Sequence, residues 1–309
     1  METPARTEKS RMDAAFAWKT AGLTLISCGL YLLVGGLAAD RLTRTRRLFD
    51  PANTPGRQGL PYEDVRFPAR DGRAEIAAWF IPSPANSRVV ILVHGIEASR
   101  TAAFVNRFPE VAAGLARAGL AVLMLDLRGH GLSSPSRFSF GLRERYDILG
   151  AVDWLRGRGF QPGKIGLLGV SLGAGSSIGA AAAEPAVGAL VTDSSFADIG
   201  PIVEANWRKR SGLPQFFLGG ARLMARVLCG EDIYAARPVD ELPALAPRPV
   251  LLIHTELDQD VPLSHLQQLH AALPAAETWV VRAGQHAEIY NALPDEYLAR
   301  VVGFFDRQL

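Results

Sequence analysis

Ser171 is the residue of this sequence whose setting most strongly suggests chemistry. It is the centre of Gly169-Val170-Ser171-Leu172-Gly173, between a short apolar run and an Ala/Gly-rich stretch typical of a helix. A turn tight enough to lift one side chain clear of a sheet brings the residues two before and two after it into near contact, so only glycine fits at both. The spacing predicts a strand, a sharp turn and a helix, with the serine at the apex.

The pentapeptide alone is not specific. A second match, Gly175 to Gly179, is centred on Ser177, inside the predicted helix, where the hydroxyl would bond to the preceding turn. Ser171 could also be an ordinary helix N-cap. A serine hydroxyl becomes a good nucleophile only when a base removes its proton and a third group orients that base, so the assignment depends on the partners.

The elements that must position these groups alternate along the chain from residue 62 onward. Short apolar runs predict eight strands: Tyr62–Pro68, Ala74–Ile81, Arg88–Val93, Leu120–Leu125, Lys164–Gly169, Val187–Thr192, Pro249–His254 and Glu277–Arg282. Helical patterns follow from the third strand onward: Thr101–Ala118, Arg143–Arg158, Leu172–Glu184, Leu263–Leu273 and Ile289–Gln308. This order predicts an α/β fold, an eight-stranded, mostly parallel sheet covered by helices on both faces, with an antiparallel start.

Polar residues follow the strands at the edge where parallel sheets carry their sites. His94 follows the third predicted strand, Asp193 the sixth, Asp258 the seventh and His286 the eighth. With Ser171 after the fifth, a serine, an acid and a histidine occur in that order on successive strand ends.

These motifs resemble the α/β-hydrolase superfamily, and most closely its membrane-anchored, serine aminopeptidase-like and acylglycerol lipase-like branch. The resemblance covers residue 62 to the C-terminus, with five motifs in order: His94-Gly95, the DLRGHGLS segment from Asp126, GVSLG, Asp258-x-x-Val-Pro and Gly284-x-His286. Two positions depart from the pattern: Ile96-Glu97, where small residues are commoner, and Thr255, where glycine is usual.

The resemblance implies a catalytic triad of Ser171, His286 and Asp258. Asp258 takes the acid position, with Asp260 and Asp193 as rivals. The same fold implies an oxyanion hole formed by the backbone N–H groups of Leu172 and Ile96. We expect neither a metal ion nor a cofactor.

About fifty residues separate Asp193 from Pro249, and we expect residues 194–248 to form a helical cap inserted in a catalytic domain of residues 62–309. Its apolar residues at helical spacing are candidates for a substrate pocket, although they could equally form the core of the cap. Glu97, Trp207, Phe216 and Phe217 are the predicted substrate-binding residues.

Thr20–Ala39 is an uncharged run of twenty residues, about 30 Å of helix and enough to cross a bilayer core. We interpret it as a transmembrane anchor between a polar tail (1–19) and a linker (40–61), with a cleaved signal peptide and a buried core helix as alternatives. Basic residues flank the run almost equally, so the side of the membrane is undecided.

Charge and cysteine content argue against nucleic-acid binding and against a disulfide or cysteine-based metal framework. The net charge of +2 over 309 residues gives no electrostatic footprint for nucleic acid. Two cysteines, Cys28 and Cys229, provide neither a disulfide framework nor a CxxC metal motif.

The sequence predicts a membrane-anchored serine hydrolase that cleaves a small-molecule acyl ester through an acyl-enzyme. An amide substrate, as for an aminopeptidase, acyl transfer to another acceptor, and a non-catalytic binding protein of the same fold remain alternatives.

Overall fold

The computed structural model describes residues 4–84 and 87–309, with side chains from residue 12 onward. Its eight strands are β1 (Glu63–Pro68), β2 (Glu75–Ile81), β3 (Val89–Val93), β4 (Ala121–Leu125), β5 (Ile165–Val170), β6 (Val187–Asp193), β7 (Val250–Thr255) and β8 (Glu277–Val281). They form one sheet in the order β1-β2-β4-β3-β5-β6-β7-β8. β1 with β2 and β2 with β4 are antiparallel, and every other pairing is parallel. The predicted fold class is confirmed.

The helices of the described residues are α1 (Pro4–Thr43), α2 (Ala103–Asn106), α3 (Phe108–Arg117), α4 (Glu144–Gly157), α5 (Leu172–Ala183), α6 (Ile199–Ser211), α7 (Leu218–Cys229), α8 (Pro238–Glu241), α9 (Ser264–Ala272), α10 (Ile289–Ala292) and α11 (Pro294–Gln308). Short 3₁₀ turns lie at Pro55–Gln58, Gln215–Phe217, Ile233–Ala235 and Leu242–Leu245.

Two predicted helices are each divided in two. The stretch Thr101–Ala118 is interrupted where Phe104, Val105 and Asn106 have positive φ, and α3 starts afresh with Pro109 in its first turn. The stretch Ile289–Gln308 breaks before Pro294. A proline cannot donate to the preceding helical turn, so it starts a helix readily and interrupts one that is under way.

The sheet is buried on both faces. One apolar cluster joins it to α4, α5 and α9, and a second joins the other face to α3 and α11. All five residues of β3 are fully buried. Burial of each such Val, Leu or Ile side chain contributes about 1.5–3 kcal/mol, so the central strands are held firmly and their carboxyl ends form a rigid platform.

The N-terminal helix is longer than its apolar core. It begins at Pro4 and so includes most of the predicted polar tail, of which residues 1–3 lie outside the described part. Residues 12–43 are long and apolar enough to cross a membrane, and most of their surface is exposed. This helix packs chiefly against α7.

The interpretation of residues 40–61 as a linker needs correction. Helix α1 continues to Thr43, and the chain beyond it is held by the catalytic domain through Arg47, which donates to the carbonyls of Gly131 and Ser133. The buried Asn53 side chain donates to Thr101 O at 2.8 Å and Asn106 O at 2.7 Å. These hydrogen bonds hold the segment after α1 against the catalytic domain, so no free linker separates the two. They join residues far apart in sequence, which composition alone does not reveal.

Candidate active site

Ser171 is the apex of a strained turn between β5 and α5. Its backbone has φ 54° and ψ −115°, and its N–H donates to Asp193 O at 2.8 Å. A Cβ atom at Gly169 would lie 2.4 Å from Gly173 O, and one at Gly173 would lie 2.4 Å from Val93 O. Both glycines are therefore required by close backbone contact, and the left-handed backbone holds the serine side chain at the carboxyl edge of the sheet.

The Ser171 hydroxyl bonds to His286 and does not cap α5. His286 Nε2 lies 2.8 Å from Ser171 Oγ, and Nδ1 lies 2.7 Å from Asp258 Oδ2. Because the Asp258 carboxylate accepts a hydrogen bond from Nδ1–H, Nδ1 keeps the ring proton and Nε2 is left as the acceptor for the serine proton. The structure thus brings together the three residues that the sequence singled out.

The Asp258 carboxylate is fixed on its other side by backbone. Its Oδ1 accepts hydrogen bonds from the N–H of Asp260 at 3.0 Å and of Val261 at 2.8 Å. Burial disfavours a charged His286, but the hydrogen bond that its Nδ1–H donates to Asp258 outweighs this effect and raises the pKa of His286 above its ordinary value. The arrangement favours proton uptake at His286.

The rival acids occupy other positions. Asp193 is buried, and its Oδ1 accepts a hydrogen bond from Ser194 Oγ at 2.9 Å. Burial raises the pKa of Asp193 to about 6. Ser194 Oγ in turn accepts from the N–H of Ala287 at 3.1 Å, so this pair braces the loop that carries His286. The Asp260 carboxylate lies 3.9 Å from Lys209 Nζ.

His94 fixes the loop that should supply an oxyanion donor. Its Nε2 accepts from the N–H of Leu127 at 3.0 Å, so Nδ1 carries the proton and donates to Gly95 O at 2.7 Å. Burial lowers the pKa of His94 to about 3, so the ring stays neutral. Since Gly95 C=O and Ile96 N–H belong to one trans peptide and point in opposite directions, His94 also sets the direction of that N–H.

The DLRGHG segment is a structural brace. Asp126 accepts from the N–H groups of Arg100 and Leu132, at 2.8 Å and 2.9 Å. Arg128 is buried between the carboxylates of Asp147 and Asp71, at 2.8 Å and 2.9 Å. These bonds hold the loop after β4.

A cavity of about 340 Å³ opens beside Ser171 and His286, a size usual for small-molecule sites. Of the predicted substrate and oxyanion residues, Ile96, Glu97, Leu172 and Trp207 line it. Further lining residues were not predicted and come from four parts of the chain: Ala39, Leu42, Thr43, Phe138, Phe140, Phe196, Ile199, Ala221, Tyr234, Asp260 and others.

Phe216 and Phe217 do not line this cavity, so that prediction was wrong. Both rings contact Tyr31 of α1, with centroid separations of 4.9 Å and 5.6 Å. Helical spacing places these rings on the cap but does not tell which face of the cap meets the site. No sequence motif marks the residues of α1 that line the cavity, because their position depends on packing between segments far apart in sequence.

The comparisons with known proteins agree with this architecture. Residues 88–227 match the sequence model of the alpha/beta hydrolase fold family. An uncharacterized protein of Mycobacterium tuberculosis H37Rv, Rv2307c, is 31% identical over 227 residues, covering 72% of this chain and 70% of the relative. YfhR of Escherichia coli K12, also uncharacterized, is 26% identical over 250 residues, covering 78% of this chain and 80% of its own length.

Solved structures show the same fold. The Pyrococcus furiosus esterase Pf2001 superposes with a TM-score of 0.70 at 24% identity, over 86% of this chain and 98% of the esterase. The esterase EaEST of Exiguobacterium antarcticum gives a TM-score of 0.59 at 17% identity, over 79% of this chain and 100% of that protein.

Proposed function

Because the chain belongs to the α/β-hydrolase superfamily, we propose that it is a membrane-anchored serine hydrolase that cleaves carboxylic esters through an acyl-enzyme on Ser171. The observation that carries the proposal is the unbroken hydrogen-bonded chain from Ser171 Oγ through His286 to Asp258, beside the cavity.

In acylation, Ser171 Oγ attacks the ester carbonyl carbon while His286 Nε2 takes the hydroxyl proton. Asp258 stabilises the imidazolium without taking its proton. The N–H groups of Leu172 and Ile96 receive the negative oxygen of the tetrahedral intermediate, at the start of a helix whose dipole favours an anion. Collapse of the intermediate breaks the C–O bond, and the alcohol leaves with the proton from His286.

Deacylation repeats these steps with water. His286 removes a proton from water, and the hydroxide attacks the acyl carbon of the acyl-enzyme. The second intermediate expels Ser171 Oγ, which recovers its proton from His286, and the carboxylic acid is released. The enzyme returns to its starting protonation state.

The lining favours an ester with an apolar acyl group, since Trp207, Phe138, Phe140 and Ile202 contribute much of the cavity wall. An aminopeptidase is the second candidate, because the carboxyl side chains of Glu97 and Asp260 also line the cavity and could bind a substrate amine. Acyl transfer would use the same residues with another acceptor in place of water.

Membrane attachment through α1 is part of the proposal. Exposed Leu23, Leu25 and Ile26 argue against a buried core helix. A cleaved signal sequence is the remaining alternative, and a mature N-terminus near Ala39 would establish it.

Fluorophosphonate labelling tests the nucleophile. The probe should label the wild-type protein, and Ser171→Ala should abolish labelling and lower kcat for esters by about 10⁴- to 10⁶-fold with the fold intact. Ser177→Ala is the matched control, because Ser177 is buried in α5 and its Oγ has no hydrogen-bond partner among the described residues. Labelling that survives Ser171→Ala but is lost in Ser177→Ala would overturn the assignment.

A further inference from the structure

Helix α1 is joined to the cap helix α7 by close backbone contact. Tyr31 Oη donates to Phe216 O at 3.0 Å and accepts from the N–H of Gly220 at 2.8 Å. Gly35 lies so close to α7 that a Cβ atom there would be 2.6 Å from the carbonyl carbon of Gly220. Small residues that let two helices approach in this way are typical of helix pairs within membranes.

The joint between α1 and α7, formed by Tyr31 and Gly35 with Phe216 and Gly220, determines how deep in a bilayer the cap would lie. Tyr31 to Ala39 falls inside the apolar run of residues 20–39, and these eight steps of helix correspond to about 12 Å. If that run crosses the bilayer, the start of α7, which contacts Tyr31, lies about 12 Å inside the apolar boundary at residue 39. A cap attached there must share the lipid layer with α1.

The cap surface has the composition of an interfacial element. Phe216 is 73% exposed and Val227 is 67% exposed, and Leu223 is also exposed on α7. Residues 205–229 contain five basic residues, Arg208, Lys209, Arg210, Arg222 and Arg226, and no acidic residue. Exposed apolar side chains interspersed with Arg and Lys match the acyl chains and anionic headgroups of one leaflet.

The cavity reaches this joint. Its wall includes Ala39, Leu42 and Thr43 from the end of α1 and Leu218, Ala221 and Ala225 from α7, together with Ser171 and His286. The space beside the nucleophile is therefore continuous with the junction of the two helices.

From these observations we propose that α7 is embedded in the leaflet beside α1, and that the substrate is a membrane lipid ester whose acyl chain passes from the bilayer into the cavity along the end of α1. The substrate class rests on the proposed hydrolase function, whereas the position of α7 does not. Helix α1 is then a wall of the substrate site as well as an anchor.

Depth-dependent quenching tests the position of α7 independently of catalysis. The full-length Leu223→Cys protein, with Cys28→Ser to remove the exposed native thiol, is labelled with a fluorophore and placed in vesicles of anionic lipids with brominated acyl chains; Leu223 is exposed and lies one turn after Gly220, inside the apolar boundary. The matched control carries the label at Gln161→Cys, an exposed residue at the opposite edge of the sheet. We expect at least twofold stronger quenching at 223 than at 161.

Equal quenching at the two positions would overturn the proposal. Shielding of the label at 223 from solvent that appears only at high protein-to-lipid ratio, without quenching by the brominated chains, would also overturn it, because a second copy of the chain and not lipid would then cover α7.

Chain-length selectivity tests the wall formed by α1. In the wild type, kcat/KM for p-nitrophenyl esters should rise about two- to fourfold per added CH₂ until the cavity is filled. Ala39→Trp, with the new ring in the cavity, should lower the decanoate-to-acetate ratio of kcat/KM at least tenfold. Leu37→Trp, on an exposed face of the same helix, should keep the wild-type ratio.

An unchanged ratio in Ala39→Trp would remove α1 from the substrate site. Fluorophosphonate labelling shows whether each variant has folded, and Ala39→Leu is the smaller substitution if the Trp variant has not. If the wild type takes no probe, the proposed function fails, while the quenching result still decides where α7 lies.

Discussion

The two ends of the cavity are built by different means. At the carboxyl edge of the sheet, each catalytic candidate follows a strand within a few residues, and backbone groups fix two of them: Ser171 through Asp193 O, Asp258 through the N–H groups of Asp260 and Val261. At the other end, α1 and the cap meet through helix-to-helix contacts between segments about 190 residues apart, as the hydrogen bond from Gly220 N–H to Tyr31 Oη illustrates.

The contrast indicates a division of labour. Backbone hydrogen bonds to a buried sheet place reacting atoms within tenths of an ångström, as proton transfer requires. Packing between helices allows the size and polarity of the substrate space to change with single side chains. Substitutions at the sheet edge should therefore slow all substrates alike, whereas substitutions near the cap should change the relative rates of different substrates.

After loss of the nucleophile itself, the largest effect is expected for Asp258→Asn. The amide keeps an oxygen to accept from Asp260 and Val261, so the loop should stay folded, but it no longer holds the proton on His286 Nδ1. We expect kcat to fall about 10³- to 10⁴-fold for short and long esters alike, measured by steady-state kinetics.

Asp193→Asn and Asp260→Asn are the matched controls, and each should cost less than about tenfold in kcat. A greater loss at Asp193 would move the acid to the end of β6. A loss in Asp258→Asn that depends on chain length would break the distinction between the two ends of the cavity.

The catalytic candidates at the sheet edge could be predicted from the sequence because the patterns that mark them are local. Gly169 is required by its contact with Gly173 inside the same pentapeptide, and Asp258 and His286 each follow a strand that its apolar run identifies. Gly173 matches the same local pattern, although the atom it must avoid is Val93 O on the neighbouring strand. Their meeting follows from strand order, which the α/β-hydrolase resemblance supplied.

The residues that line the cavity near the cap could not be predicted in this way. Phe216 and Phe217 are apolar aromatic residues of the kind that line substrate pockets, yet their rings contact Tyr31. Ala39 and Thr43 lie at the end of the predicted membrane anchor, yet they line the cavity. The face that a helix buries depends on partners distant in sequence, and hydropathy does not identify those partners. For the same reason, residues 40–61 resembled a linker although Asn53 and Arg47 attach them to the domain.

The pH dependence of kcat/KM should report the sheet edge for every substrate. His286 must be neutral to accept the Ser171 proton. Burial lowers its pKa, but the hydrogen bond that it donates to Asp258 outweighs burial and raises the pKa above the ordinary value of about 6.5. Activity should therefore be full above that pKa and fall about tenfold per pH unit below it.

The group behind this acid limb can be identified with two variants. Because the pKa of Asp193 is raised to about 6, its titration falls in a similar range, and Asp193→Asn should leave the limb in place. In Asp258→Asn, the residual activity should show a limb at lower pH, because burial then acts on His286 without the compensating carboxylate. A limb that disappears in Asp193→Asn would assign the titration to Asp193.

The smallest effect on esters is expected at Glu97, where the two regions meet. Glu97 follows the oxyanion-loop residue Ile96, is exposed and lines the cavity, with a backbone φ of 53° that Glu and Gln tolerate equally. A neutral ester has no cation for this carboxylate to bind, so Glu97→Gln should change kcat/KM for medium-chain p-nitrophenyl esters by no more than about twofold.

An aminoacyl p-nitroanilide carries an α-ammonium group, and an aminopeptidase would require a buried or partly buried carboxylate to pair with it. Assayed side by side, the esters should be the faster substrates, and Asp260→Asn serves as the control for the other carboxylate in the lining. Faster turnover of the anilide, lost on Glu97→Gln and retained in Asp260→Asn, would replace the esterase with an aminopeptidase and would make Glu97 the residue through which the cap end selects its substrate.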